Sequence, residues 1–168
     1  MHTGQFIYLL VAFMLFSSFS LALNRFQVAA TITTVEAQQV NDAISLAQML
    51  SEEAWTKSFD EMTVPENQVG SAGADYPDDF TETKDLGTES GEVYPDFDDV
   101  DDYNDLDYSL IYGSDSLNVK GRVFYISTTV DTLCTSSCTF NKMLQFTITS
   151  PRNELELTFE YIYSYFGT

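Results

Sequence analysis

Basic residues and histidine are scarce in this 168-residue chain, which carries 7 Lys and Arg against 26 Asp and Glu and a single histidine. The net charge of −19 is concentrated, because most of the acidic residues lie between Asp60 and Asp107, where Lys84 is the only basic residue. Such a negative field repels nucleic acid and anionic lipid headgroups, so both are poor partners. Divalent cations are better candidates for binding to such an acidic chain.

The shortage of histidine also argues against catalysis. His2 is the only histidine and precedes a long apolar run, so no Ser/His/Asp or Cys/His set can be assembled. The chain has no Gly-rich phosphate loop, and its clustered aspartates do not single out one raised-pKa acid of a glycosidase pair. The sequence therefore predicts a protein that is not an enzyme.

Cysteine is nearly absent. Cys134 and Cys138 are the only two, four positions apart in a Thr- and Ser-rich loop between strand-like runs. A zinc site would need four ligands, whereas two thiols at this spacing can close a disulfide in an oxidising compartment. We expect that disulfide, with free thiols as the alternative. It favours export of the C-terminal part, although Arg25, a single charge beside the apolar run, favours the opposite orientation.

The apolar run itself is the strongest feature present. Residues 1–5 form a short leader, and Phe6 to Leu23 contain no charge, glycine or proline. Eighteen helical residues extend roughly 27 Å, close to the thickness of one hydrocarbon core, so we expect a transmembrane segment. The alternative is a cleaved secretory signal ending at Ser20-Leu21-Ala22, although the basic n-region of such signals is missing.

An amphipathic stalk helix is predicted over residues 24–62. Apolar residues recur there mostly at three- and four-residue steps, from Val28 to Ala54, and polar residues occupy the other faces. The helix should end near Val64-Pro65, because a residue before proline is disfavoured in the α region. Trp55 and Phe59, one turn apart, are expected to anchor the core.

The remaining chain divides into an acidic loop region, residues 63–117, and an antiparallel sheet, residues 118–168. The loop is rich in Gly, Asp and Thr, and its scattered aromatic residues should pin it at intervals. Polar and apolar residues alternate along the tail, most cleanly from Leu155 to Tyr163. We expect an α+β fold in which the sheet packs on the end of the long helix.

The candidate site is the acidic segment Asp96 to Asp107. Asp98, Asp99, Asp101 and Asp102 are so dense that they must be solvated, paired or bound to a cation. Calcium takes six to eight oxygens from such a cluster, which makes these four aspartates candidate calcium ligands. The alternative is a solvated turn whose aspartates cap local backbone amides.

The layout of the whole chain resembles that of minor type IV pilins and related pseudopilins of bacteria. The most specific segment is Asp98–Asn104 (DDVDDYN), which resembles the D-D-x-D-D-aromatic-N/H-G segment of minor pilins of the mannose-sensitive-haemagglutinin type. Asp105 stands where that segment ends in Gly. The stretch Ala43–Glu53 (AISLAQMLSEE), followed by Phe59-Asp60-Glu61, is similar to pilin stalks.

The resemblance implies cleavage of a leader between Gly4 and Gln5. Pilin precursors carry Gly, then Phe or Met, Thr, Leu, a variable residue and Glu, and that Glu pairs with the amino terminus of a neighbouring subunit. The Glu is absent here, as it is in minor pseudopilins located at the filament tip.

Two functions follow as expectations. The first is a structural minor subunit of a type IV pilus-like filament or secretion pseudopilus. Its N-terminal helix would contact membrane lipid and other pilin-like subunits, in the bacterial inner membrane, with the head exported to the periplasm or cell surface. The second is a singly anchored or secreted surface module whose acidic loop binds calcium or another ligand.

Overall fold

The computed structural model describes residues 3–65, 77–112, 115–127, 132–134, 137–151 and 155–165. It contains one α-helix, α1 (Thr3–Ala54), and five strands, β1 (Asp107–Tyr112), β2 (Asp115–Ser127), β3 (Thr132–Cys134), β4 (Asn141–Ser150) and β5 (Leu155–Ser164). Two compact units divide the chain after Asn41. The α+β class predicted from the sequence is confirmed.

The N-terminal unit, Met1–Asn41, is described as continuous helix from Thr3 onward. Its side chains are exposed from residue 4 to residue 38, including large apolar ones such as Phe13 and Phe16, 68% and 70% exposed. An 18-residue window in this helix has a mean hydropathy of 2.3, so the helix is long and apolar enough to cross a membrane. Ser18 donates a hydrogen bond to the Leu15 carbonyl oxygen, which satisfies its hydroxyl within the helix (2.9 Å).

The C-terminal unit, residues 42–168, is built on one antiparallel sheet with the strand order β1-β2-β4-β5 and with β3 paired to the end of β2. The register sets Val119 opposite Ile148 and Phe146 opposite Phe159. Alternation along β4 is regular, so every second side chain is buried. Strand β5 alternates between half-buried and exposed side chains, as its sequence predicts.

The last turns of α1 cover this sheet. Helical residues at three- and four-residue spacing join strand residues in one core cluster, which accounts for the C-terminal part of the apolar stripe in the sequence. The Tyr163 hydroxyl of β5 donates to the Ser51 carbonyl oxygen at 2.9 Å, which ties the sheet to the helix end. The buried members from the helix are Ala43, Leu46, Ala47, Leu50 and Ala54.

The helix ends at Ala54, whereas the sequence predicted helix to residue 62. The reason is tertiary: Ser58 donates its amide to the Asp98 carbonyl oxygen, and its own carbonyl accepts the Val100 amide, both at 3.0 Å. These bonds hold the chain extended at Ser58. Trp55 was predicted to be a core anchor and is 61% exposed, with its ring against Tyr163.

The acidic region also differs from the prediction of loop over residues 63–117, because β1 and the start of β2 lie within it. The sequence did not predict β1, because the strand begins at Asp107, the last residue of the acidic segment, and its first residues look like a continuation of the loop. The expectation that aromatic residues pin this region is confirmed for Phe80, Phe97 and Tyr103, which are buried. Residues 66–76 lie outside the described part.

Candidate functional site

The acidic segment Asp98–Asn104 folds into a turn closed by its own aspartates. Asp99 Oδ1 accepts the backbone amides of Asp101 and Asp102, at 2.6 and 3.2 Å. Asp102 Oδ2 in turn accepts the amides of Asp98 and Asp99, at 3.1 and 3.4 Å. These four hydrogen bonds between side chains and backbone amides hold the turn that contains the 3-10 helix Asp101–Tyr103, and they account for two aspartates at that spacing.

The sequence analysis offered, as the alternative to a calcium site, a solvated turn whose aspartates cap backbone amides. The aspartates do cap amides, but the turn is not solvated. Asp99, Asp101 and Asp102 are all buried, and only Asp98 is exposed. Burial, together with the charge of the neighbouring Asp101, raises the pKa of Asp99 to about 9. Burial also raises the pKa of Asp102 to about 6, against the two amide hydrogen bonds that lower it.

Asn104 fixes this turn to the rest of the head. Its side-chain nitrogen donates to the Leu86 carbonyl oxygen at 3.0 Å, and its side-chain oxygen accepts the Val123 amide of β2 at 3.0 Å. The next residue, Asp105, has φ of 61°, a left-handed conformation that favours glycine. The turn thus joins the acidic loop to the centre of the sheet.

A buried cation lies on the other side of the turn. Lys142 on β4 is fully buried, and its ammonium contacts three acceptors: the Phe59 carbonyl oxygen (2.9 Å), Asp60 Oδ2 (2.6 Å) and Asp101 Oδ1. The rings of Phe59 and Tyr125 lie 4.6 and 5.1 Å from the same nitrogen. All of the ammonium protons have acceptors, so the charge is satisfied despite its burial.

Asp60 is the better held of its two carboxylate partners. Besides Lys142, it accepts hydrogen bonds from the Thr81 amide and hydroxyl, the Met62 amide and the Tyr125 hydroxyl. Burial acts to raise the pKa of Asp60, but Lys142 and these hydrogen bonds outweigh it and lower the pKa. Asp101 has fewer donors, and burial raises its pKa to about 7 even though Lys142 acts to lower it.

Two sets of three carboxylates converge beside the turn. In each set, one oxygen per residue lies within 4.8 Å of the others: Glu61, Asp98 and Asp99 form one set, and Glu89, Glu92 and Asp102 form the second. Burial raises the pKa of Glu89 to about 8, and the proximity of Glu92 adds to the shift. Like charges this close repel unless protons or a cation lie between them.

The structure thus divides the four predicted calcium ligands. Asp101 pairs with Lys142, Asp98 and Asp99 face Glu61, and Asp102 faces Glu89 and Glu92. Asp60 and Lys142, with the three glutamates, are the site residues that the sequence analysis missed. Lys142 lies two residues before Leu144 and four before Phe146, so strand alternation puts all three on the buried face of β4. This spacing is the signal in the sequence that the lysine is buried.

The other predicted positions lie apart from the turn or outside the described side chains. The sulfur of Cys138 lies 3.4 Å from the Thr81 carbonyl oxygen, and the side chain of Cys134 lies outside the described part. Their pairing stays a prediction. Gly4 and Gln5, the predicted processing site, lie in α1.

Comparison of the chain with protein-family models, with curated proteins and with solved structures gives no match.

Proposed function

We propose that this chain is a structural minor subunit of a type IV pilus-like filament or secretion pseudopilus. Residues 6–23 hold it in the bacterial inner membrane, and its head is exported. The observation that carries the proposal is α1, one uninterrupted helix whose first part is apolar and exposed and whose last turns are buried in an α+β core. A helix of this kind joins a membrane or a helical bundle to a folded head.

The stripe beyond the membrane-length segment supports partner helices. Val28, Ile32 and Val35 are 54%, 53% and 47% exposed, although they repeat at the spacing of a packed helix face. A span alone would not need this stripe. Neighbouring apolar helices would cover it, as in a bundle of similar subunits.

The turn after the acidic segment supports the resemblance to minor pilins. Asp105 occupies the position where the D-D-x-D-D-aromatic-N motif continues with glycine, and its φ is 61°. Glycine takes this left-handed conformation without a steric penalty, whereas a residue with a Cβ, Asp included, takes it at some cost in free energy. Glycine at this position would therefore suit the backbone conformation of this chain, as the motif has it.

The anchor is tested on native material. The proposal expects the chain to stay with membranes during alkaline carbonate extraction, because an inserted span is effectively irreversible. Mass spectrometry of the extracted protein should find the apolar segment intact, and a first residue at Gln5 would support pilin-like processing. A soluble chain beginning at Leu23 would instead identify a cleaved signal and refute the anchor.

The filament role is tested by site-specific photo-crosslinking in cells. A photoreactive residue at Ile32 should crosslink the full-length chain to other membrane proteins that begin with a long hydrophobic helix. The matched control is Thr34, two positions further along the helix, where the side chain points to another face and its hydroxyl bonds to Ala30. Membrane-bound chains that give no adduct at Ile32, or equal adducts at both positions, would refute packing through this stripe.

A further inference from the structure

Glu89, Glu92 and Asp102 form a carboxylate triad held from two directions. Asp102 lies in the 3-10 helix Asp101–Tyr103, and the Asp98 and Asp99 amides hold its Oδ2. The Glu89 amide donates to Glu92 Oε2 at 3.2 Å and so joins the two glutamates. The oxygens of all three converge within 4.8 Å.

Two oxygens of this triad are buried without a partner. Asp102 is 0% exposed and its Oδ2 accepts two amides, but its Oδ1 has no hydrogen-bond partner in the described part of the chain. Glu89 Oε2 is shielded in the same way and has none either. A buried anion with an unmatched oxygen is strongly unfavourable unless it takes up a proton or a cation lies next to it.

The described residues offer no such positive group. None of their Lys or Arg side chains lies within 4.0 Å of Glu89, Glu92 or Asp102. Lys142, the buried cation of this region, is committed to Asp60 and Asp101. Lys57 donates to the Phe97 carbonyl oxygen at 2.5 Å.

We propose that Glu89, Glu92 and Asp102 bind one calcium ion. Three carboxylates, each able to bind through one or both oxygens, supply most of the six to eight oxygen ligands that calcium takes. Magnesium keeps several of its waters and uses one or two carboxylates, so this dense set suits it less. The second set of carboxylates, Glu61, Asp98 and Asp99, adds negative charge to the same turn.

The ion would join the acidic loop to the turn that contains Asp102, two segments that do not pair with each other in the sheet. Glu89 and Glu92 lie in the acidic loop, and Asp102 lies in the turn whose Asn104 reaches β2. Calcium would therefore lock the loop onto the sheet. This role is separate from assembly, and it holds whether the head belongs to a filament or stands alone.

The first test counts ions on the native chain. Full-length protein in detergent should retain one calcium per chain in equilibrium dialysis, with a dissociation constant near that of extracellular modules, about 10⁻⁴–10⁻³ M. Its melting temperature should rise by several degrees in saturating calcium and less in magnesium, because the ion binds only the folded head. No bound calcium, or equal shifts with the two ions, would overturn the proposal.

The second test locates the ion. Glu89→Gln with Glu92→Gln keeps the size of both side chains and should abolish the calcium-dependent shift. The matched control, Asp96→Asn with Glu156→Gln, removes the same number of charges from exposed positions and should keep the shift. The proposal is overturned if the Glu89→Gln, Glu92→Gln variant keeps the full calcium-dependent shift. It is also overturned if that variant keeps the shift while Glu61→Gln with Asp98→Asn loses it, because the ion would then lie in the other set of carboxylates.

Discussion

Lys142 is the residue on which the buried polar centre of the head depends. Strand alternation directs its side chain inward with Leu144 and Phe146, so the ammonium has no route to water. It neutralises two carboxylates that the fold also buries, Asp60 and Asp101. Removing one member of such a group costs more than the whole group contributes, because a charge is left buried and unpaired.

We predict that Lys142→Met destabilises the head by about 3–5 kcal/mol, because two buried carboxylates lose their only cation. The measurement is the free energy of unfolding in urea. Lys120→Met is the matched control, since Lys120 lies on β2 with its ammonium 3.8 Å from Asp107, and both side chains are 62% exposed. The control should cost only about 0–1 kcal/mol. Equal losses for the two variants would contradict the prediction.

Asp60 predicts how stability responds to acid. Its folded-state pKa lies below the value of about 3.9 expected in the unfolded chain. The unfolded state therefore binds more protons between the two values. The stability that Asp60 contributes is fully present above about pH 4 and is lost as the pH falls through the folded pKa.

This acid dependence should require Lys142. In Lys142→Met, burial is no longer opposed by the ammonium and raises the pKa of Asp60, so the sign of its contribution reverses. Urea unfolding measured from pH 6 down to pH 3 should show a steeper loss of stability for the native protein and for Lys120→Met than for Lys142→Met. Identical slopes would show that Asp60 is not held ionised by Lys142.

At the scale of elements, the turn after the acidic segment carries strain at Asp105. A non-glycine residue with φ of 61° costs free energy that glycine avoids. We predict that Asp105→Gly raises the melting temperature of the head, whereas Asp105→Ala, which keeps the strain and removes the side chain, does not. A lower melting temperature for Asp105→Gly would show that the Asp105 side chain matters more than its backbone.

Strand β2 passes under this turn at a glycine. A Cβ added at Gly121 would lie 2.2 Å from the Tyr103 carbonyl oxygen and 3.1 Å from Leu106 Cβ, and the first of these is backbone. Gly121→Ala should therefore force the turn away from the sheet and cost about 1–3 kcal/mol. Arg122→Ala, on the exposed face one residue further on, should change the urea midpoint little. The reverse order would contradict this account of the contact.

How far the sequence predicts these elements depends on the range of the interactions. Strands β4 and β5 were predicted because alternation is a local signal, and so was backbone capping by the aspartates, which act across two or three residues. The end of α1 was missed because Ser58 bonds to a segment 40 residues away. The pairing of Lys142 with Asp60 spans 82 residues, and no local pattern reveals it.

At the scale of the whole molecule, the head and the apolar helix make different demands on their surroundings. The helix exposes the apolar side chains of residues 6–23, a stretch that is long and apolar enough to cross a membrane. The head carries most of the acidic residues and excludes anionic surfaces from close approach. The anchoring proposed above would satisfy the first demand, because the apolar side chains would then lie in lipid.

The compartment of the head can be read from its two cysteines. If the head is exported, Cys134 and Cys138 should be oxidised to each other, closing a short loop after β3 and adding about 2 kcal/mol of stability. Full-length protein isolated without reductant should then resist alkylation and, after reduction, take up two alkyl groups by intact mass. A Cys134→Ser control should leave Cys138 open to alkylation before reduction. If both thiols of the freshly isolated native chain are alkylated without reductant, the head resides in a reducing compartment, and the exported, pilus-like arrangement is refuted with it.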